Sequence, residues 1–184
     1  MPARAADLAE IDTFCDALWL EDGLAKATLD SYRSDLGRLA LWLADNAGEP
    51  LLDLRETALT AFIAHLSRQT RASSQARYLS TLRRFYRWQL ARGRIVADPT
   101  LKLANPTRPS RLPRVMSEKQ VDRLLAAPDL DSPLGLRDRA MLETLYATGL
   151  RVSELVNLKI HEVSFNDNVL RALGKGSKER LVPL

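Results

Sequence analysis

Apolar residues recur every three or four positions from Leu8 to about Arg92, the spacing of helices that bury one face. Leu8 to Leu20 predicts a first helix with Leu8, Ile11, Cys15, Leu18 and Trp19 on one side. Thr28 is placed to cap a second, in which Leu29, Tyr32, Leu36, Leu39 and Leu43 recur until Gly48-Glu49-Pro50 ends it. Thr57 to Leu66 gives a third, and Ser73 or Ser74 opens a fourth that runs to about Arg92, with Gly93 as its stop. Four helices with short connections imply a compact helical domain. Later, Ser117-Glu118-Lys119-Gln120 has the form of a capping box, and Val121, Leu124 and Leu125 give the helix after it a buried face. Ser132-Pro133 starts the next helix and Gly149 ends it. Val152, Leu155, Val156 and Leu158 have the spacing of a short buried helix. Val169 to Leu173 and Leu181 to Leu184 read as two strands joined by Gly174-Lys175-Gly176-Ser177-Lys178. The expected fold is mainly α with a small antiparallel sheet.

Asp98 to Arg114 breaks this pattern. Pro99, Pro106, Pro109 and Pro113 keep it extended, and Lys102, Arg108, Arg111 and Arg114 make it basic, so it reads as a linker tracking along something anionic. The expected division is therefore a helical domain at 1–97, a linker at 98–114 and a second domain at 115–184. Charge sharpens that division. The net charge of +4 conceals 5 basic and 12 acidic residues over 1–67, 12 and 1 over 68–114, and 10 of each over 115–184.

The fourth helix carries much of the central positive charge. Leu79, Leu82, Tyr86 and Leu90 form its apolar stripe, with Arg77, Thr81, Arg84 and Arg87 on the other side. A solvated charged face normally mixes signs, yet Thr57 to Ala97 contains no Asp or Glu, which favours a polyanion-binding surface. Phosphate contacts would supply most of the affinity, with Ser80 or Thr81 placed to touch bases. The remaining totals are ordinary for a soluble globular chain: 46% hydrophobic and 27% charged residues. Cys15 alone excludes an internal disulfide, and it and two distant histidines leave no metal cluster, so no cofactor is expected. No apolar run is long enough to span a bilayer, and a cytoplasmic location is expected.

Two cations are framed unusually. Arg151 sits just past the reversal at Gly149, with Glu154 three residues on to orient it, and Lys175 stands between two glycines. A guanidinium holds a phosphodiester through two oxygens and a flexible ammonium reaches a leaving oxygen, so the pair suggests phosphoryl transfer. Taken singly, Arg151 with Glu154 is also an ordinary structural ion pair. Gly174-Lys175-Gly176 is not a phosphate-binding Walker loop, since Val169 and Gly176 stand where Gly and Ser or Thr are needed.

The stretches ATGLRVSEL, GKGSKERLVPL, IDTFCDALWLEDGLAKATLDSY and LPRVMSEKQVDRLLAAP together resemble the tyrosine recombinase (phage integrase) family, closely its bacterial Xer branch, from about Ile11 to Leu184. The resemblance implies a SAM-like, core-binding helical domain, followed by the first part of an α+β catalytic domain. It implies that Arg151 clamps the scissile phosphate and that Lys175 protonates the leaving 5′ oxygen; Glu154, from its spacing, is expected to support Arg151. From the charge pattern, Arg77, Thr81, Arg84, Arg87, Arg108, Arg111, Lys178 and Arg180 are expected to meet DNA; Lys178 and Arg180 are alternatively partners for Glu179. The family's H-x-x-R motif, second His or Trp and nucleophilic Tyr follow the hairpin, so the catalytic set is expected to be incomplete here and the chain inactive by itself. His65 to Arg68 matches H-x-x-R but precedes Arg151, and reads as a helix end. His161 is expected to be half-exposed before the first strand, Met116 and Met141 to fill gaps, and Tyr32, Tyr78, Tyr86 and Tyr146 to pack. The implied partners are a duplex site of the dif type, a XerC-type recombinase in a tetramer and an FtsK-type translocase, in chromosome dimer resolution. Other readings are a non-catalytic DNA-binding module and a domain whose basic band meets an acidic protein.

Overall fold

A computed structural model of the chain describes residues 2–106, 115–174 and 179–184. The chain forms two units, Met1–Ser110 and Arg111–Leu184. Mainly helical, with a three-stranded antiparallel sheet among the described residues, it has the expected fold class.

The first unit packs α1 (Ala5–Asp22), α2 (Lys26–Asn46), α3 (Glu56–Gln69) and α4 (Ala72–Ala91) around one core. Phe14, Leu36, Leu39, Leu43, Phe62, Leu82, Phe85 and Tyr86 are fully buried there. Phe14 meets the edge of Phe85 with ring centroids 5.3 Å apart, a favoured aromatic geometry. Tyr86 donates its hydroxyl to the Leu51 carbonyl at 2.9 Å, and burial pushes its pKa well up. Asp7, also buried, accepts the Leu51 N–H at 2.8 Å, which ties the start of α1 to the short 3-10 turn Leu51–Asp53.

The helices match the periodicity better than the faces do. On α1, Leu8 and Trp19 point outward and Phe14 takes the core position between Ile11 and Leu18, a narrower stripe than the pattern suggested. Leu90 on α4 is likewise exposed. Thr28 lies inside α2, which begins at Lys26 after Ala25, and Ser73 and Ser74 lie inside α4, whose N-cap position is Arg71. None of these serine or threonine residues caps its helix.

The expected linker starts as part of this unit. Asp98 and Thr100 are buried, with Asp98 Oδ1 accepting from the Thr100 N–H at 2.8 Å and from its hydroxyl at 2.6 Å. Leu103 packs against the core and Arg83 donates to Asn105 Oδ1 at 2.5 Å. Asp98 and Thr100, on either side of Pro99, make a local turn that holds the strap down. Arg108 and Arg111 fall outside the described residues.

The second unit contains α5 (Glu118–Leu125), α6 (Pro133–Thr148), α7 (Val152–Val156), a 3-10 turn (Ile160–Glu162) and strands β1 (Val163–Ser164), β2 (Val169–Leu173) and β3 (Glu179–Pro183) in the order β1-β2-β3. Gln120 returns its side chain to the Ser117 N–H at 2.8 Å, and Ser132 Oγ accepts the Gly135 N–H at 3.0 Å. Gly135 is required: a Cβ there would lie 1.7 Å from the Asp129 carbonyl. Leu150, Leu155, Leu170 and Ala172 form a small core flanked by Met141, Leu145, Leu158, Val163 and Val182. No residue of α5 is buried, Leu124 is exposed, and Val152 and Val156 of α7 face outward. A helix of five residues turns one side chain inward, here Leu155. Met116 and Tyr146 are exposed, as is His161.

The core assignment on α1 and α4 is testable. Phe85→Ala is expected to cost about 3–5 kcal/mol of stability, whereas Trp19→Ala should stay within about 0.5 kcal/mol. Urea unfolding followed by circular dichroism compares them, and equal losses would overturn the assignment.

Candidate active site and nucleic-acid interface

Arg151 owes its position to two local features. Gly149 closes α6 in a left-handed conformation, φ 62°, which reverses the chain before α7 starts. Leu150 and Leu155 then anchor either side of Arg151 in the core, so its guanidinium projects outward with 68% of its side chain exposed. Glu154 fixes it. The Arg151 N–H donates to Glu154 Oε2 at 2.8 Å and Nη1 donates to Oε1 at 2.9 Å.

Arg180 completes this cluster. It approaches the same carboxylate with two donors, Nη1 to Oε1 at 3.0 Å and Nη2 to Oε2 at 2.8 Å. The sheet register places Arg180 opposite Ala172, on the face that also carries Leu170 and Val182, so the strand delivers it inward to α7. Arg180 is therefore the partner of Glu154, not of Glu179; Glu179 lies 3.8 Å from Arg171. Glu154 has 7% of its side chain exposed. The Arg180 hydrogen bonds, then the Arg151 N–H, lower its pKa from 4.5 to about 2 against the opposing effect of burial. One carboxylate thus binds Arg151, at the start of α7, to strand β3. Sequence reasoning had missed this link, although alternation in β3 puts Arg180 and Val182 on one face. Lys175 and Lys178 lie outside the described residues.

In the helical unit the candidate contact residues of α4 divide into three kinds. Thr81 is buried and donates to Asp35 Oδ2 at 2.9 Å, so it does not face a ligand and its assignment as a DNA contact is withdrawn. Arg84 donates to Asp22 at 2.7 Å, while its neighbours Arg92 and Arg94 meet Glu21 at 2.6 Å and Glu10 at 2.5 Å. The acidic N-terminal region folds back on the basic middle, which is why the two excesses of charge are separate in sequence and adjacent in space. Arg77 bonds Asp35 and remains half-exposed, and Arg87 is exposed with no carboxylate partner among the described residues. Arg68 lies in the last turn of α3 and His65 against Trp42, which makes that H-x-x-R match part of the helix end.

Other chemistry is sparse. Burial pushes the Cys15 thiol up to about 11, leaving it protonated and unreactive near neutral pH. Among the described residues no group of His, Cys, Asp or Glu is arranged to hold a metal ion, and no helix is long and apolar enough to cross a membrane.

Both units match known proteins in sequence and fold. The phage integrase N-terminal SAM-like domain profile matches residues 11–93, and the phage integrase family profile matches residues 114–184. The chain belongs to the phage integrase family. It is 48% identical over 184 residues to tyrosine recombinase XerD of Ralstonia nicotianae, covering all of this chain and 59% of that one. It is 51% identical over 182 residues to tyrosine recombinase XerD of Xanthomonas axonopodis pv. citri, covering 98% and 59%. The chain thus spans somewhat over half the length of these integrase-family relatives. In fold it is similar to lambda integrase in a tetramer bound to a Holliday junction, with a TM-score of 0.74, 22% identity and coverage of 95% of this chain and 49% of that one. It is also similar to the XerH site-specific recombinase bound to a palindromic difH substrate, with a TM-score of 0.69, 16% identity and coverage of 96% and 53%.

The depressed pKa of Glu154 carries a pH signature. Its contribution to stability is fully present above pH 4.5 and is lost as pH falls from there through about 2, because protonation removes the acceptor for both arginines. Melting temperatures of the wild-type chain and Glu154→Gln should therefore differ most above pH 4.5 and converge toward pH 2. A gap that stays constant across that range would show that the carboxylate charge is not what holds the cluster.

Proposed function

We propose that these residues serve, in the whole protein, as the DNA-gripping helical domain and the phosphate-clamping part of a site-specific tyrosine recombinase of the XerD type. The observation that carries this reading is Arg151: an exposed guanidinium held by Glu154, which Arg180 in turn braces, at the arginine position of the family's motif. On this reading a tyrosine oxygen attacks the scissile phosphorus and the bond to the 5′ oxygen breaks. The phosphate is left as a 3′-phosphotyrosyl ester, and Lys175 gives its proton to the departing 5′ oxygen. Arg151 stabilises the charge that grows on the non-bridging oxygens. The covalent ester keeps the bond energy for rejoining, so strand exchange needs no nucleotide.

On this reading the nucleophile is none of the tyrosines present, because the family's tyrosine follows the glycine-rich segment after Leu173. Tyr78 and Tyr86 are buried in the helical unit, Tyr32 packs against its core, and Tyr146 lies on α6, so we expect the 184 residues alone to bind duplex and cleave nothing. The finer assignment we propose is a dif-type site, a XerC-type partner in a tetramer, an FtsK-type translocase, chromosome dimer resolution and a cytoplasmic location; the similarity to XerD supports it.

A nicked duplex that traps the covalent intermediate tests the proposal. The whole recombinase should form an adduct, Arg151→Ala should slow its formation about 10²–10³-fold as loss of a transition-state donor does, and the isolated 184 residues should bind without forming one. Binding without cleavage by the whole protein would instead support the non-catalytic DNA-binding module.

A further inference from the structure

Asp35 is the most deeply buried carboxylate of the helical unit, with 1% of its side chain exposed. Arg77 Nη1 reaches its Oδ2 at 2.5 Å and the Thr81 hydroxyl reaches the same oxygen at 2.9 Å, while Oδ1 has no hydrogen-bond partner. A charge withdrawn from water in this way is held by its pairing, and in return it fixes the direction of the partner. Arg77 nevertheless keeps 51% of its side chain exposed. Its guanidinium carbon lies 4.9 Å from the centre of the Tyr78 ring, and that of Arg38, from α2, lies 5.4 Å from the same centre. Tyr78 is buried beneath them. Two planar guanidiniums from different helices are therefore seated on one aromatic ring, a cation–π arrangement that leaves their edges free to donate. Arg38 is exposed and has no carboxylate partner among the described residues, unlike Arg84, Arg92 and Arg94.

We infer that Arg38 and Arg77, seated on Tyr78, form a clamp for the phosphodiester backbone of duplex DNA, and that Asp35 is the residue that positions Arg77. The inference rests on the DNA-binding reading of the helical unit and adds a site to it. The roles of the two arginines differ. Arg38 supplies uncompensated charge, whereas Arg77, already matched by Asp35, supplies directed donors.

The salt dependence of binding separates these roles, because each phosphate neutralised adds about 0.9 to the slope of log affinity against log salt. The measurement is fluorescence anisotropy of a short labelled duplex of arbitrary sequence with the 184-residue chain and its variants, between about 50 and 200 mM salt. Arg38→Ala should lower the slope by about 0.9, and Arg38→Lys should restore the slope but only part of the affinity. Arg77→Lys retains the charge and a partner for Asp35, so it should weaken binding several-fold at an unchanged slope. Asp35→Asn frees the charge of Arg77 and should steepen the slope by about 0.9, a change that a purely structural carboxylate would not produce. Melting curves of each variant establish that it is folded. If the wild-type chain binds duplex while Arg38→Ala and Arg77→Lys match it in affinity and slope, the clamp is wrong and the DNA-binding reading stands. A slope for Asp35→Asn equal to wild type removes the positioning role. If the wild-type chain fails to bind duplex even at low salt, both readings fall together.

Discussion

A carboxylate withdrawn from water has to be answered by fixed donors, and each unit of this chain is tied together by one such group. In the helical unit Asp35 joins α2 to α4 through Arg77 and Thr81. In the second unit Glu154 joins α7 to β3 through Arg151 and Arg180. Removing one partner of such a set leaves an unmatched buried charge, which costs far more than an exposed pair contributes. The arginines that answer these carboxylates are also those whose remaining surface is open to a ligand. On the proposed reading, structure and recognition therefore depend on the same contacts.

The other ion pairs do a different job. Arg84 with Asp22, Arg92 with Glu21 and Arg94 with Glu10 lie at the surface, where a pair is worth about 0–1 kcal/mol. They add little stability, but they cancel charge locally. A band of 12 basic residues over 68–114 thus presents a narrower electropositive footprint than its composition suggests. What remains positive around α4 is the part the acids of α1 do not reach, chiefly Arg38 and Arg87. Folding acidic and basic segments together places field where it is wanted without a large net charge.

Which features were legible in the sequence follows from the range of the interactions that set them. Helices were legible because their apolar spacing is local, and so were the Ser132 cap, the reversal at Gly149 and the location of Arg151 just after it. Faces were less legible. Leu8, Trp19 and Leu90 fit the period yet point outward, because a helix stripe of given spacing tolerates a rotation of tens of degrees and only the neighbouring helices decide it. The burial of Thr81 was invisible for a related reason: its partner Asp35 is 46 positions away. Glu154 was read as support for Arg151 from spacing alone, while its second partner arrives from a strand 26 positions on. Lys175 was assigned by motif, and Lys178, Arg108 and Arg111 by the charge of their segments; all four rest on those assignments.

The two carboxylate clusters share a charge logic that bears on what they hold. Arg151 and Arg180 around Glu154 are two cations against one anion, and Arg77 paired with Asp35 beside Arg38 on the Tyr78 ring gives the same count. A lone arginine would carry the same net charge but would sweep through many rotamers, losing entropy when it settles on a phosphate. A one-to-one pair would be ordered but electrically spent. Two guanidiniums and one carboxylate keep a net positive charge and fix its direction before any ligand arrives. That combination is what a phosphoryl group requires, since donors oriented in advance need not reorganise as charge develops on its oxygens. The depressed pKa of Glu154 follows from the same balance, for a carboxyl that lost its charge would release both of its arginines at once.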